Sequence, residues 1–142
     1  MEIFSKATND TQEAGRRLST HLKGGETLAL VGEMGAGKTH FIQGLAEGLK
    51  IDSRITSPTF IIMREYETDK LNFYHVDLYR LEENIERELT NLGITDLWGK
   101  PKNIFAIEWA DRAVGHLPDN TIWVKFTEID NDTRKIEIVG IK

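Results

Sequence analysis

The chain contains a glycine-rich segment whose residue types and spacing are suited to holding phosphate. It matches the pattern G-x-x-x-x-G-K-[ST] with one additional glycine, and it comprises Gly32, Glu33, Met34, Gly35, Ala36, Gly37, Lys38 and Thr39. Glycines allow consecutive backbone N–H groups to turn toward phosphate oxygens, and a helix that begins there adds the positive end of its dipole. In such a loop the lysine reaches the β- and γ-phosphates, and the hydroxyl that follows it binds Mg²⁺. We therefore predict a nucleotide site in which Lys38 and Thr39 supply the principal side chains.

Two carboxylates follow runs of residues that read as strands. Asp77 comes directly after Phe73-Tyr74-His75-Val76, and Glu108 comes directly after the wholly apolar Ile104-Phe105-Ala106-Ile107. A magnesium nucleotide site usually needs an acidic residue at the end of a strand beside the loop. Either residue could hold the metal or orient the attacking water, and the sequence leaves open which one contacts the metal. The other interpretation of each is a solvated strand terminus.

Further candidates lie around these residues. Ser57-Pro58-Thr59 stands where nucleotide switches often place a hydroxyl that senses the γ-phosphate, but its position alone favours a simple turn that contains a proline. Trp109 follows Glu108 and is expected at the edge of the site, whereas Trp98 and Trp123 are expected in the core. The histidines are scattered without metal-ligand spacing, so we expect them on the surface or at helix caps; they are His21, His40, His75 and His116.

The elements that must position these residues follow from hydrophobic periodicity. Thr27–Val31 and Ile104–Ile107 are short apolar runs typical of interior parallel strands. Between them, the apolar residues after the loop recur at helical spacing; they are Phe41, Ile42, Leu45, Ala46 and Leu49. We also predict a surface helix over 8–22, a hairpin from 60–66 and 71–77, a helix over 81–92, a helical turn near 110–117, and a C-terminal hairpin from 121–127 and through Ile136 and Ile138. The pattern indicates one α/β domain over 1–142 with a mixed sheet.

Composition narrows the class of protein further. The chain has 142 residues, no cysteine and a net charge of −5. That charge argues against a broad electrostatic grip on a nucleic-acid backbone, so any nucleic-acid role is expected to be indirect. The absence of cysteine suits the cytoplasm, and no stretch has the apolar length of a membrane span or the features of a secretory signal. We expect a cytoplasmic protein that is not membrane-bound.

Four motifs in order resemble those of one family, the TsaE family of small P-loop ATPases in bacterial threonylcarbamoyladenosine biosynthesis, formerly called YjeE. The segment Gly32 to Thr39 is similar to its phosphate loop, with Met34 where leucine is more frequent. The three other motifs are Ser57-Pro58-Thr59-Phe60, His75-Val76-Asp77-Leu78-Tyr79-Arg80 and Ile107-Glu108-Trp109. His40 and Ala110-Asp111 depart from the usual pattern.

The resemblance implies a P-loop NTPase fold and a set of roles for individual residues. Lys38 and Thr39 would bind the phosphates of ATP and Mg²⁺, while Asp77 and Glu108 would act at the metal and the attacking water. Thr59 would contact the γ-phosphate side, and Trp109 would lie beside the nucleotide. It further implies a Mg²⁺-dependent ATPase that is weak alone and docks on the TsaB–TsaD heterodimer, which modifies the adenosine next to the anticodon of tRNA. This chain would meet tRNA only through that complex.

Three other functions use the same loop. A small-molecule P-loop kinase normally needs an acceptor pocket and an arginine-rich lid, and the arginines here are dispersed. A GTPase-like switch is suggested by Asp96-Leu97-Trp98-Gly99, which matches D-x-x-G, although the chain has no N-K-x-D to select guanine. A binding module without turnover is the third.

Overall fold

The computed structural model describes residues 1–33, 37–52, 63–79 and 83–141. The predictions for Met34, Gly35, Ala36 and Thr59 lie outside these ranges. The strands are β1 (Glu2–Ser5), β2 (Thr27–Val31), β3 (Met63–Glu67), β4 (Asn72–Asp77), β5 (Asn103–Glu108), β6 (Ile122–Glu128) and β7 (Arg134–Val139). The helices are α1 (Thr8–Ser19), α2 (Lys38–Gly48), α3 (Ile85–Asn91) and α4 (Ile94–Leu97), with a 3₁₀ helix at Ala110–Ala113.

The strands form one seven-stranded mixed sheet in the order β1-β7-β6-β2-β5-β4-β3. β2 pairs in parallel with both β5 and β6, and β4 pairs in parallel with β5. The β3–β4 and β6–β7 hairpins and the β1–β7 pair are antiparallel. This arrangement confirms the predicted P-loop NTPase fold with a parallel centre and antiparallel hairpins.

The central strands are those with the most continuous apolar runs. Every residue of β5 is buried, as are the first four of β2, because helices cover both faces of the sheet there. One face packs against α1 and α2 through side chains such as Leu30, Phe41 and Leu45. The other packs against α3 and α4. Since β2, β4 and β5 are parallel, Asp77 and Glu108 end at the same sheet edge from which the phosphate loop leaves.

Helix α1 lies against α2 at unusually short range. A Cβ atom built at Gly15 would stand 2.1 Å from the carbonyl oxygen of Phe41, and one at Gly44 would stand 1.9 Å from that of Gln12. Only glycine permits backbones to approach so closely. The predicted N-terminal surface helix therefore exists, but one face of it is buried on α2.

Several boundaries differ from those predicted. The helix predicted from residue 81 begins at Ile85, because Asn84 adopts a left-handed conformation with φ 56°. Its predicted stop at Gly93 is confirmed, with φ 77°. The helical turn predicted to Leu117 ends at Ala113. β1 and α4 were not predicted. Across the described ranges, no helix combines the length and apolar character that spanning a bilayer requires.

Candidate functional site

The phosphate end of the sheet has the strand, loop and helix order that the motif requires. β2 ends at Val31, Gly32 and the exposed Glu33 follow, and α2 begins at Lys38. Gly37 precedes the helix with φ 97°, a left-handed conformation that favours glycine. The unpaired N–H groups of the first turn of α2 therefore face the predicted phosphate position.

Lys38 points inward rather than into solvent. The residue is only 5% exposed. Its Nζ donates a hydrogen bond of 2.7 Å to the carbonyl oxygen of Gly32 and lies 4.0 Å from the centre of the Trp109 ring. Burial lowers the pKa of Lys38, and the carboxylates of Glu108, Asp77 and Asp111 oppose that shift. The ammonium thus lies among the groups predicted to handle phosphate and metal.

Asp77 and Glu108 lie side by side in the register of the β4–β5 pair. They are 6% and 4% exposed, so neither is the solvated strand terminus that the sequence left open. The backbone N–H of Tyr79 donates to Asp77 Oδ1 at 2.9 Å. Burial raises the pKa of Asp77, an effect that the hydrogen bond from Tyr79 opposes and the charge of Glu108 reinforces. The sheet therefore holds two adjacent buried carboxyl groups beside a buried ammonium.

The oxygen donors at this edge fit a hard cation. Thr39 is half-buried in the first turn of α2, near the edge where Asp77 and Glu108 end. Mg²⁺ prefers oxygen ligands and is commonly held by one or two carboxylates together with substrate phosphates. Within the described ranges, no group of three or more His, Cys, Asp or Glu is arranged to hold a metal by itself.

His75 corrects a prediction. It was expected on the surface or at a helix cap, yet it lies in strand β4 and is 0% exposed, and its Nε2 lies 2.6 Å from Glu108 Oε2. Its burial places a polar ring directly behind a predicted catalytic carboxylate. The sequence signal that could have found it is its position two residues before Asp77, which puts both side chains on one face of β4.

Trp109 occupies the predicted edge of the site in a strained backbone conformation. Its φ of 58° and ψ of 37° lie in the left-handed region, where a bulky residue is an outlier. Its ring packs on Tyr79, with centroids 5.0 Å apart, and the Arg112 guanidinium lies 5.7 Å from the ring centre. Trp98 and Trp123, expected in the core, are half-buried against the cluster on the α3 side.

A pocket of about 470 Å³ opens next to these residues. Its lining joins the loop, the segment after β5 and the end of β6; it comprises Gly32, Glu33, Trp109, Asp111, Phe126, Thr127 and Glu128. The volume falls in the range of small-molecule sites. Three of the residues predicted to bind nucleotide, Gly32, Glu33 and Trp109, therefore share one cavity.

The D-x-x-G match lies at the opposite end of the sheet. The carbonyl oxygen of Leu97 accepts a hydrogen bond of 2.8 Å from the Asn103 side chain, at the start of β5. Glu108 ends the same strand, about 16 Å away at about 3.3 Å per residue. Asp96–Gly99 is thus remote from the phosphate loop.

Comparison with known proteins gives a consistent set of relatives. A family model described as "Threonylcarbamoyl adenosine biosynthesis protein TsaE" matches residues 5–136. The tRNA threonylcarbamoyladenosine biosynthesis protein TsaE of a Nostoc species is 37% identical, over 96% of this chain and 84% of that protein. The protein of the same name from Aquifex aeolicus is 34% identical, over 96% and 94% of the two chains. The crystal structure of Bacillus subtilis YdiB superposes with a TM-score of 0.82 at 27% identity, covering 100% of this chain and 86% of that one.

Proposed function

This chain belongs to the TsaE family of tRNA threonylcarbamoyladenosine biosynthesis proteins, and we propose that it serves that modification as a Mg²⁺-dependent ATPase. We propose further that it acts on the TsaB–TsaD heterodimer, and that hydrolysis resets that complex between turnovers. One observation carries the ATPase proposal. The buried side chains of Lys38, Asp77 and Glu108 lie together at the edge where the phosphate loop leaves the sheet.

Binding of the phosphates rests on Lys38 and the start of α2. On nucleotide binding, the Lys38 ammonium exchanges its hydrogen bond with the Gly32 carbonyl for bonds to the β- and γ-phosphates. The first-turn N–H groups of α2 add donors and the positive end of the helix dipole. The charge of Lys38 then opposes the charge that develops on the transferring phosphoryl group.

The hydrolytic step is assigned to the two carboxyl groups and Thr39. Thr39 and one or both of Asp77 and Glu108 would hold Mg²⁺, which when bound neutralises charge on the phosphate oxygens. Glu108 accepts a hydrogen bond from the attacking water and orients it in line with the bond that breaks. Lys38 and Glu108 are therefore the catalytic residues in this proposal.

The nucleoside would occupy the pocket beside Trp109. That pocket begins at Gly32 and Glu33, so a nucleotide whose phosphates lie on α2 could extend its base along the Trp109 ring. We assign ATP to it by family membership. Met34, Gly35, Ala36 and Thr59 keep their predicted phosphate-binding roles in the proposal, although they lie outside the described residues.

Membership in the family also supports the proposed partners. An acidic chain with a net charge of −5 is suited to reaching tRNA through a complex rather than by its own surface. The setting that fits this role is the cytoplasm, away from membranes.

A small-molecule kinase or GTPase-like switch is the alternative function. Asp96–Gly99, the sequence feature that favoured the switch, lies far from the phosphate loop and therefore no longer supports it.

Phosphate release from Mg²⁺-ATP, with and without TsaB–TsaD, tests the proposal. We expect release to rise when the heterodimer is added. Lys38→Ala should lose ATP binding, whereas Glu108→Ala should bind ATP and fail to hydrolyse it. An unchanged rate with a heterodimer shown to bind would refute the partner role. A phosphorylated small product would favour the kinase, and a preference for GTP would favour the switch.

A further inference from the structure

The buried contact between His75 and Glu108 crosses the β4–β5 pair diagonally. His75 is in register with Ala106, and Asp77 is in register with Glu108. All four residues share the face of the sheet that packs on α2, because directly opposed residues and alternate residues lie on one side. The small side chain of Ala106 leaves the space through which the imidazole reaches Glu108 Oε2 at 2.6 Å.

The hydrogen-bond partners define which ring nitrogen carries the proton. Among the described residues, His75 Nδ1 is buried and has no hydrogen-bond partner. A neutral imidazole has one N–H donor and one acceptor nitrogen, whereas a carboxylate only accepts. The contact with Glu108 therefore requires Nε2–H as its donor, and it leaves Nδ1 as a buried acceptor without a donor among the described residues.

This contact constrains the orientation of the carboxylate. The bond engages Oε2, and with the strand backbone fixed it limits rotation of the carboxyl plane and so sets the direction of Oε1. A buried polar pair by itself is weak evidence for stability, since apolar residues of similar volume often replace such pairs without loss. By contrast, hydrogen-bond partners that orient the side chains of a metal site typically affect metal affinity or activity by about 10- to 100-fold when they are lost.

We propose that His75 is a positioning residue for Glu108, with Nε2–H holding Oε2 so that Oε1 faces the attacking water or the metal. The inference rests on the role of Glu108 in the proposed ATPase. It assigns to His75 no contact with the nucleotide and no transfer of a proton. Its effect therefore falls on turnover rather than on nucleotide affinity.

Two substitutions separate positioning from packing. His75→Leu fills a similar volume without a donor, and His75→Gln places an amide N–H at a comparable reach from the backbone. His21→Leu is the matched control, because His21 is exposed near the end of β2 that lies away from the loop. Each variant is assayed with TsaB–TsaD for kcat and KM of Mg²⁺-ATP hydrolysis, and alone for ADP affinity.

We expect His75→Leu to lower kcat by about 10- to 100-fold, with KM and ADP affinity close to those of the unmodified protein. His75→Gln should have a kcat nearer to that of the unmodified protein than to that of His75→Leu, and His21→Leu should leave kcat unchanged. Equal kcat for all forms, or a fall in ADP affinity as large as the fall in kcat, would overturn the inference. Absence of hydrolysis by the unmodified protein with its partners would overturn the proposed function as well.

The tautomer supplies a readout that does not depend on turnover. In ¹H–¹⁵N spectra of the full chain, the His75 proton should reside on Nε2 and exchange slowly with solvent, and Glu108→Ala should accelerate that exchange. A proton on Nδ1, or exchange unaffected by Glu108→Ala, would refute the hydrogen bond even if the protein is an active ATPase.

Discussion

The strained backbone at Trp109 leads to a quantitative prediction about two substitutions. Trp109 is held at φ 58°, a conformation that costs an ordinary L-residue about 1–2 kcal/mol and glycine almost nothing. Trp109→Ala removes the ring and keeps that cost, whereas Trp109→Gly removes both. Comparing the two variants therefore isolates the backbone contribution from the ring contribution.

The expected magnitudes follow from the contacts of the ring and the backbone angle. Loss of the Tyr79 ring contact at 5.0 Å and the Lys38 ammonium at 4.0 Å destabilises both variants by about 1–3 kcal/mol. Glycine also costs about 0.5–1 kcal/mol through the greater freedom of its unfolded chain. After subtraction, Trp109→Gly should be more stable than Trp109→Ala by about 0.5–1 kcal/mol.

Urea denaturation measures this difference, because the free energy of unfolding extrapolated to water can be compared when the two m-values agree. Ala110→Gly is the control, since Ala110 is the first residue of the 3₁₀ helix and does not have a positive φ. There glycine should destabilise by about 1–2 kcal/mol, the opposite sign, because the buried methyl group of Ala110 is lost as well. If Trp109→Ala proves at least as stable as Trp109→Gly, the reasoning from backbone strain is refuted.

Three further predictions concern other positions. Lys50 follows the C-terminal end of α2 with φ 66° in a Schellman motif, in which the backbone N–H of Ile51 donates to the carbonyl oxygen of Ala46. Because glycine adopts this conformation without strain, Lys50→Gly should raise the free energy of unfolding by about 1 kcal/mol. An unchanged or lower urea midpoint would contradict this prediction. Gly44→Ala gains about 1 kcal/mol of helix propensity but forces the backbones of α1 and α2 apart. We therefore expect the free energy of unfolding, measured by thermal or urea denaturation, to fall by about 2 kcal/mol. A stabilised variant would argue against the close contact between the helices. Because burial raises the folded-state pKa of Asp77, the contribution of this residue to stability is present below its unfolded-state pKa and is lost as pH rises through its folded-state pKa. Asp77→Asn should therefore be more stable than the unmodified protein at neutral pH and lose that advantage in acid. The variant should also lose the Mg²⁺-dependent tightening of nucleotide binding. A stability gap that is the same at both pH values would contradict the assignment for Asp77.

The central strands and helix α2 could be predicted because each is specified by the hydrophobic pattern of its own residues. The apolar runs over Thr27–Val31 and Ile104–Ile107 are too hydrophobic for anything but interior strands, and the apolar stripe after the loop has helical spacing. β1 could not be predicted in the same way. Its four residues carry no clear pattern, and they become a strand through backbone pairing with β7 at the other end of the chain.

The placement of the candidate-site residues was predictable to the extent that motifs and strand ends define it. Lys38 follows from the loop pattern, and Asp77 and Glu108 follow from their positions after apolar runs. The burial of His75 did not follow, because its partner Glu108 is 33 residues away and only the register of β4 on β5 brings them together. The start of α3 was misplaced for a different reason, since the left-handed conformation of Asn84 is a backbone choice that residue type alone does not specify.

The glycine contacts between α1 and α2 also have a mechanical consequence. At Gly15 and Gly44, where a carbonyl oxygen of one helix stands at the glycine of the other, the two backbones are in direct contact and no side chain lies between them to absorb sliding. We therefore expect a shift of α2 at its phosphate end to carry with it the whole of α1, a helix about 18 Å long. The Thr11 hydroxyl of α1 is hydrogen-bonded at 2.6 Å to Ser5 in β1, so we expect a displacement of α1 to move this edge strand of the sheet as well.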